Sequence, residues 1–141
     1  MIEMIVIDAK NLILGRLSAY AAKQALQGET VHIINADKAV ITGDKKRILE
    51  SYRRKRELGG PLIGPFHLRM PDRLVKRCIR GMLSYKAPRG KEAFARIKCH
   101  IGVPSSLSNV ESVSLPKMSV DKTHAKYVFV ETISKELGAK L

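Results

Sequence analysis

The first part of the chain contains two short apolar runs separated by a longer amphipathic one. Residues 4–7 and 31–36 are typical of buried strands, because their apolar side chains follow one another without a helical period. Between them, apolar side chains in residues 13–26 recur at helical spacing, Asn11 stands in a capping position, and Gly28 follows as a stop signal. Such a βαβ unit predicts two adjacent parallel strands with a right-handed crossover.

The remaining elements predicted from the sequence are shorter. They are extended segments at 39–42, 97–101 and 126–130, a helix from Lys45 to about Arg56, a short helix from Glu92 to Arg96, and a final helix at 133–137 capped by Thr132. With 141 residues and an ordinary apolar fraction of 45%, we expect one domain over residues 1–141. Its predicted class is α/β, as three layers (α/β/α) around a small parallel sheet.

A strongly amphipathic helix is predicted after Pro71, a residue suited to a first helical turn. Arg73, Lys76, Arg77 and Arg80 recur at intervals of three and four, so they share one face of the helix. Like charges at this spacing repel one another by a few tenths of a kcal/mol per pair, and an anionic partner would relieve that repulsion. The opposite face is an apolar stripe of Leu74, Val75, Cys78, Ile79, Met82 and Leu83.

The positive charge of the chain is concentrated around this helix. Net charge is +13, and residues 45–98 contain 17 Lys and Arg against 4 Asp and Glu, whereas the rest of the chain contains 9 of each. The whole excess therefore lies in the middle of the sequence, as expected of a polyanion-binding face. The alternative interpretation is a solvated basic helix followed by a flexible loop.

Two loops and one glycine adjoin the basic helix. Residues 84–91 form a basic loop, and residues 58–68 form an uncharged loop with three Gly and two Pro between arginine clusters. The latter is interpreted either as a nucleic-acid-contacting loop or as a plain surface loop. Gly81 lies in the last turn of the helix, where glycine costs roughly 1 kcal/mol relative to alanine, which indicates close approach of another backbone.

Motifs for catalysis, cofactor binding and metal binding are missing from the sequence. Neither a dinucleotide-binding glycine pattern nor a P-loop is present, and the four His and two Cys lack metal-ligand spacing. Asp8, Asp37 and Asp44 follow apolar runs, where a small α/β hydrolase could hold carboxylates, although capping and turn roles are more typical of Asp there. Cys78 and Cys99 are interpreted as small buried thiols in a reducing compartment, without a disulfide.

The N-terminal segment and the apolar content add expectations about location. Residues 1–10 lack a basic region and contain Glu3, so we expect no signal peptide, and no apolar stretch is long enough to span a membrane. Aromatic residues are few (5%, no Trp), so phosphate contact and RNA shape are expected to outweigh base stacking.

Six short motifs resemble one known family in order and spacing. The chain resembles ribosomal protein thirteen of the large subunit, in its archaeal form, over nearly its whole length. Ser84 departs from the family pattern, in which proline commonly follows Gly-Met-Leu. The motifs are Ile7-Asp8-Ala9, Leu14-Gly15-Arg16-Leu17, Ile34-Asn35-Ala36-Asp37, Thr42-Gly43, Arg80-Gly81-Met82-Leu83 and Ile101-Gly102-Val103-Pro104.

The resemblance implies a cytoplasmic structural protein that binds large-subunit ribosomal RNA, contacts neighbouring ribosomal proteins and enters early in assembly. It implies no enzyme activity, cofactor, metal or small-molecule substrate; a free regulator of messenger RNA remains an alternative. Met82 and Leu83 are expected in the core, with Arg80 and Gly81 facing RNA. The expected RNA-binding residues are Arg53, Arg54, Lys55, Arg56, Arg69, Arg73, Lys76, Arg77, Arg80, Gly81, Lys86, Arg89 and Lys91.

Overall fold

The fold is described from a computed structural model, which covers residues 4–113, 115–122 and 124–140 and contains five strands and five α-helices among them. The order is β1 (Met4–Asp8), α1 (Leu14–Leu26), β2 (Thr30–Ile34), β3 (Val40–Thr42), α2 (Lys45–Glu57), α3 (Pro71–Arg80), α4 (Pro88–Ala95), β4 (Ile97–Cys99), β5 (Tyr127–Phe129) and α5 (Val130–Glu136).

The central sheet contains three parallel strands in the order β1-β2-β4. In β1 and β2, Ile5 lies opposite Val31 and Ile7 opposite Ile33, so the predicted parallel pairing of these strands is confirmed. β4 adds to the other edge of β2, with Ile97 opposite Val31. The predicted α/β class around a small parallel sheet is confirmed as well.

The two faces of this sheet are covered differently. Ile7, Val31, Ile33 and Ile97 are fully buried in the main core, where α1, α3 and α4 cover the sheet. On the opposite face, Val6 and Ile34 pack with Leu107 in a smaller cluster. The layer on this face is thinner: among the described residues, those packed with Val6 and Ile34 come from the short 3-10 turn Ser105–Leu107 and from Val110 after it.

A second sheet connects the segment after β2 to the C-terminal part of the chain. β3 and β5 pair in antiparallel fashion, with Ile41 opposite Val128, and β5 runs directly into α5. The backbone N–H of Val130 donates to the carbonyl of Ala39 at 2.9 Å, which fixes the start of α5 against β3. Both strands fall on segments that the sequence predicts as extended.

The helix boundaries differ from the predicted ones where tertiary contacts decide them. α1 begins at Leu14 after an Ile13 cap position, and Asn11 has φ 60° in the preceding turn, so the predicted Asn11 cap is wrong. Thr132 lies inside α5 and does not cap it, because burial of Val130 against the core starts the helix early. α4 starts four residues before the predicted Glu92, with Pro88 in its first turn.

α3 ends earlier than its apolar stripe suggests. The helix stops at Arg80, and residues 81–86 form turns. Leu83 is buried as predicted, but Met82 is 44% exposed, so its predicted core position is wrong. Helical spacing no longer determines which way Met82 points once the helix has ended. No helix among the described residues is long and apolar enough to cross a membrane.

Substitution of Ile79 and Met82 should separate the true core position from the exposed one. Ile79→Ala should lower the free energy of unfolding by about 2–5 kcal/mol, because Ile79 is fully buried and truncation leaves a cavity. Met82→Ala should cost less than about 1 kcal/mol. Urea denaturation of both variants measures this difference. Equal losses would contradict the assignment of Met82 to the surface.

Candidate nucleic-acid interface

The cationic face of α3 (Arg73, Lys76, Arg77 and Arg80) lies opposite its buried face. Leu74, Val75 and Ile79 are buried against α1, β4 and α5, which leaves the cations on the outer side. Arg73 and Arg77 are exposed, whereas Lys76 and Arg80 are half-buried. The structure therefore has the apolar side and the cationic side that the sequence predicts for this helix.

Aromatic rings hold the two half-buried cations of α3. The Lys76 Nζ lies 4.8 Å from the centroid of the Phe94 ring, and the Arg80 Cζ lies 4.2 Å from that of Tyr85. A cation above a ring face is attracted to it by about 0.5–1 kcal/mol at an exposed site. Hydrogen bonding from Arg80, and then its charge, lowers the pKa of the Tyr85 hydroxyl. Each ring therefore restricts the positions that its cation adopts.

The basic loop after α3 folds back onto the start of α4. The N–H of Ala87 donates to the carbonyl of Ser84 at 2.9 Å, and Gly90 packs against the same residue. A Cβ on Gly90 would collide with the Ser84 carbonyl, so only glycine fits. Ser84 contributes its carbonyl here, which the proline of the family pattern would also supply, so the departure at Ser84 leaves this contact intact.

The three cations of the basic loop are exposed. Lys86 lies in the loop, and Arg89 and Lys91 lie in the first turn of α4. Arg89 also lines an open groove of about 520 Å³ together with Met82 and Lys23 of α1. Lys23 is thus a cation of the same surface that the sequence did not reveal, since it stands outside residues 45–98, in the part of the chain whose charges balance.

Gly81 stands between α3 and the basic loop and is exposed. It has ordinary helical backbone angles, φ −64° and ψ −18°, and a Cβ there would meet only the Cys78 oxygen at 3.5 Å. The folded chain therefore has no conformational or steric need for glycine at this position.

The basic end of α2 is partly used within the fold. Arg53 donates to Glu136 of α5 at 3.2 Å, and Arg56 donates to the carbonyl of Leu137. Arg54 and Lys55 are exposed, as is Arg69 before α3. Lys55 lies 5.0 Å from the centroid of the Tyr52 ring. These contacts fix α2 to α5 and leave Arg54, Lys55 and Arg69 as the outward cations of this region.

Comparison with known proteins identifies the family. The family model of ribosomal protein L13 matches residues 2–106, which include α3, the basic loop and α4. The chain belongs to the ribosomal protein L13 family. It is 43% identical to the large ribosomal subunit protein uL13 of Methanosarcina barkeri, over 97% of this chain and 99% of that protein. It is 44% identical to that of Methanococcoides burtonii, with the same coverage.

A more distant archaeal relative matches over a similar range. The uL13 protein of Methanopyrus kandleri is 41% identical over 99% of this chain and 89% of its own length. The resemblance to the archaeal form of the L13 family is therefore confirmed, and this family is not a class of enzymes.

Two of the three carboxylates considered for a hydrolase accept hydrogen bonds from other parts of this L13 protein. Asp8 accepts hydrogen bonds at 3.0 Å from the Lys10 N–H and from the Asn35 side chain. Asp37 accepts one at 3.3 Å from the Gly102 N–H. Asp44 stands at the cap position of α2 without a side-chain hydrogen bond to the helix. Asp8 and Asp37 thus act in turns, as the capping and turn interpretation predicts.

The positions of the His and Cys residues bear on metal binding and on thiol chemistry. Within the described residues, no group of three or more His, Cys, Asp or Glu is placed to hold a metal. Both cysteines are free and half-buried, and burial raises the pKa of the Cys99 thiol to about 12, which keeps it protonated.

One contact between two side chains could not be predicted from the sequence. His32 Nδ1 and His100 Nε2 lie 3.0 Å apart, and the two rings are stacked. Burial, followed by the charges of His100 and Lys98, lowers the pKa of His32. Residues 68 positions apart meet here because β2 and β4 are neighbours, which no local pattern indicates.

Gly90→Ala should disrupt the basic loop without touching a cation. The added Cβ collides with the Ser84 backbone, so we expect a loss of about 1–3 kcal/mol in the free energy of unfolding. Gly15→Ala in α1 is the matched control, since its Cβ meets nothing within 4 Å, and it should stabilise the helix by about 0.5–1 kcal/mol. Thermal melts measure both. A Gly90→Ala protein as stable as the wild type would refute the close approach.

Proposed function

We propose that this protein is a structural constituent of the large ribosomal subunit, located in the cytoplasm, that binds large-subunit ribosomal RNA and supports early assembly. The archaeal relatives that it resembles over nearly their whole length are named large ribosomal subunit proteins. In this proposal, the chain acts as one RNA-binding unit, with neighbouring ribosomal proteins as its other partners.

The observation that carries the proposal is the uncompensated charge of α3. Among the described residues, no carboxylate lies within ion-pair distance of the four cations on its cationic face. Exposed like charges side by side cost the free protein a few tenths of a kcal/mol per pair. A row of RNA phosphates converts this repulsion into attraction and releases counterions, which is the dominant source of affinity in such complexes.

The candidate residues have different roles within this surface. Arg73 and Arg77 carry exposed planar guanidinium groups, which suit bidentate hydrogen bonding to phosphate. Lys76 and Arg80 are oriented by rings before RNA arrives, so less side-chain entropy remains to be lost on binding. The other members of the proposed surface are the exposed cations Arg54, Lys55, Arg69, Lys86, Arg89 and Lys91, and Arg53 and Arg56 contribute while also fixing α2.

Replacing the two exposed arginines of α3 tests the cationic face directly. The variant with Arg73→Gln and Arg77→Gln should melt at or slightly above the wild-type temperature, because like-charge repulsion falls. Its affinity for large-subunit ribosomal RNA should drop, and the slope of log K against log salt should shrink by about one unit for each phosphate that is left without its cation. Filter binding between 50 and 200 mM salt measures both quantities.

The matched control replaces two exposed cations outside residues 45–98. Lys10→Gln with Lys140→Gln removes the same charge and should leave the salt slope nearly unchanged. An arginine double variant that melts early yet keeps full affinity would show that these cations are internal partners of the fold, and the proposal would be wrong.

Gly81→Ala tests close approach of RNA to the end of α3. The chain accommodates this Cβ at ordinary contact distance, so stability should stay the same or rise by up to about 1 kcal/mol. If an RNA backbone approaches Gly81, affinity should fall while the salt slope stays constant, because no charge is removed. The same filter-binding series measures this. Unchanged affinity would exclude Gly81 from the contact surface.

A further inference from the structure

The apolar loop (residues 58–68) displays large apolar side chains to solvent. Leu62 is 93% exposed, Ile63 74% and Phe66 71%, and Leu58 and Leu68 are also exposed. Single exposed apolar residues are normal on a protein surface, whereas several close together mark a contact site. Nothing else in the described chain concentrates so much exposed apolar surface in so few residues.

The tip of the apolar loop has a defined turn. The Gly60 N–H donates to the carbonyl of Ile63 at 2.8 Å, and Gly59 has φ +81°, a conformation that side chains disfavour. A Cβ on Gly59 would lie 2.6 Å from the Ile63 oxygen and 2.7 Å from the Gly64 oxygen. The chain therefore closes tightly behind Leu62 and Ile63 and turns their side chains away from the body of the protein.

A contact with α2 holds the base of the apolar loop in place. The His67 ring contacts Tyr52 of α2 edge to face, with 5.9 Å between centroids. Tyr52 itself packs against the main core. The exposed tip thus stands on an anchored base, and an anchored segment loses less conformational entropy on binding than a free one.

Charge distinguishes the apolar loop from the RNA-binding surface. Residues 58–68 contain no Lys, Arg, Asp or Glu, although the basic residues 53–56 and then Glu57 precede them and Arg69 follows. Affinity for an RNA backbone comes from cations at phosphates, and sequence-specific stacking uses Arg or several aromatic planes. Leu62, Ile63 and Phe66 provide neither cations for phosphates nor several planes for base stacking. They have the composition of an interface core, which is depleted of charge and enriched in apolar and aromatic anchors.

We propose that the apolar loop docks into an apolar cleft of a neighbouring protein, with Leu62, Ile63 and Phe66 as its anchors. The cleft is bordered by carboxylates, because the flanks of the loop carry net positive charge, from residues 53–56 before Glu57 on one side and from Arg69 on the other, and complementary charge sets the orientation. The inference rests on the proposed function, which places the protein in the large subunit. It adds a second type of contact, with RNA at α3 and protein at the apolar loop.

A photocrosslinker at the loop tests which class of molecule lies there. The probe is p-benzoylphenylalanine in place of Phe66, in a tagged protein expressed in its host, with large subunits isolated on a sucrose gradient and irradiated. Mass spectrometry of the tagged adduct should identify one protein, at an apolar segment with acidic neighbours. The same probe in place of Val103, another exposed apolar residue, should not reach that segment.

Incorporation of a loop variant gives the second measurement. Leu62→Gln with Phe66→Gln should leave melting temperature and free RNA affinity unchanged, because both side chains are exposed and uncharged. In competition with untagged wild type, its share of large subunits should fall roughly fivefold or more, as expected when interface anchors are truncated. Val103→Gln is the matched control and should compete equally.

The outcomes separate this inference from the proposed function. If the wild-type protein does not sediment with the large subunit, the proposed function and this inference are both overturned. If it sediments normally but the Phe66 probe crosslinks only to RNA, only to another copy of the chain, or to nothing, the inference alone is overturned. Equal competition by the loop variant would overturn it as well.

Discussion

Burial of the apolar side of α3 is the constraint on which the rest of the molecule depends. Val75 and Ile79 are fully buried where α1, β4 and α5 meet, so α3 cannot rotate without exposing them to water. Burying a side chain of this size is worth about 1.5–3 kcal/mol. Because the buried side is fixed, Arg73 and Arg77 must face outward, and the position of the cationic face follows from the core rather than from the cations themselves.

The surface around α3 is organised by small local contacts. Gly90 seats the basic loop against α4, the Phe94 and Tyr85 rings hold Lys76 and Arg80, and Arg53 and Arg56 tie α2 to α5. Each contact is weak, but together they fix cations from three helices in the free protein. Preorganisation of this kind reduces the entropy lost on association. In the proposed function, the folded protein therefore presents a shaped array of charge instead of a flexible basic tail.

Sequence patterns predicted those features that depend on local periodicity. The apolar runs of β1 and β2 and the helix between them were sufficient for the parallel pair, and the spacing in α3 was sufficient for its two sides. Met82 was placed wrongly because the helical period ends at Arg80, and Asn11 and Thr132 because tertiary packing sets the helix starts. Lys23 beside Arg89, and His32 beside His100, depend on which elements become neighbours, which no local pattern encodes.

The position of α3 in an assembled large subunit tests the central claim most directly. An electron cryomicroscopy structure of subunits isolated through the tagged protein would show what surrounds each side chain of the cationic face. The account predicts ribosomal RNA phosphates within hydrogen-bonding distance of the Arg73 and Arg77 guanidinium groups, which are exposed in the free protein. Guanidinium groups that face solvent, or that pair with protein carboxylates, would contradict it.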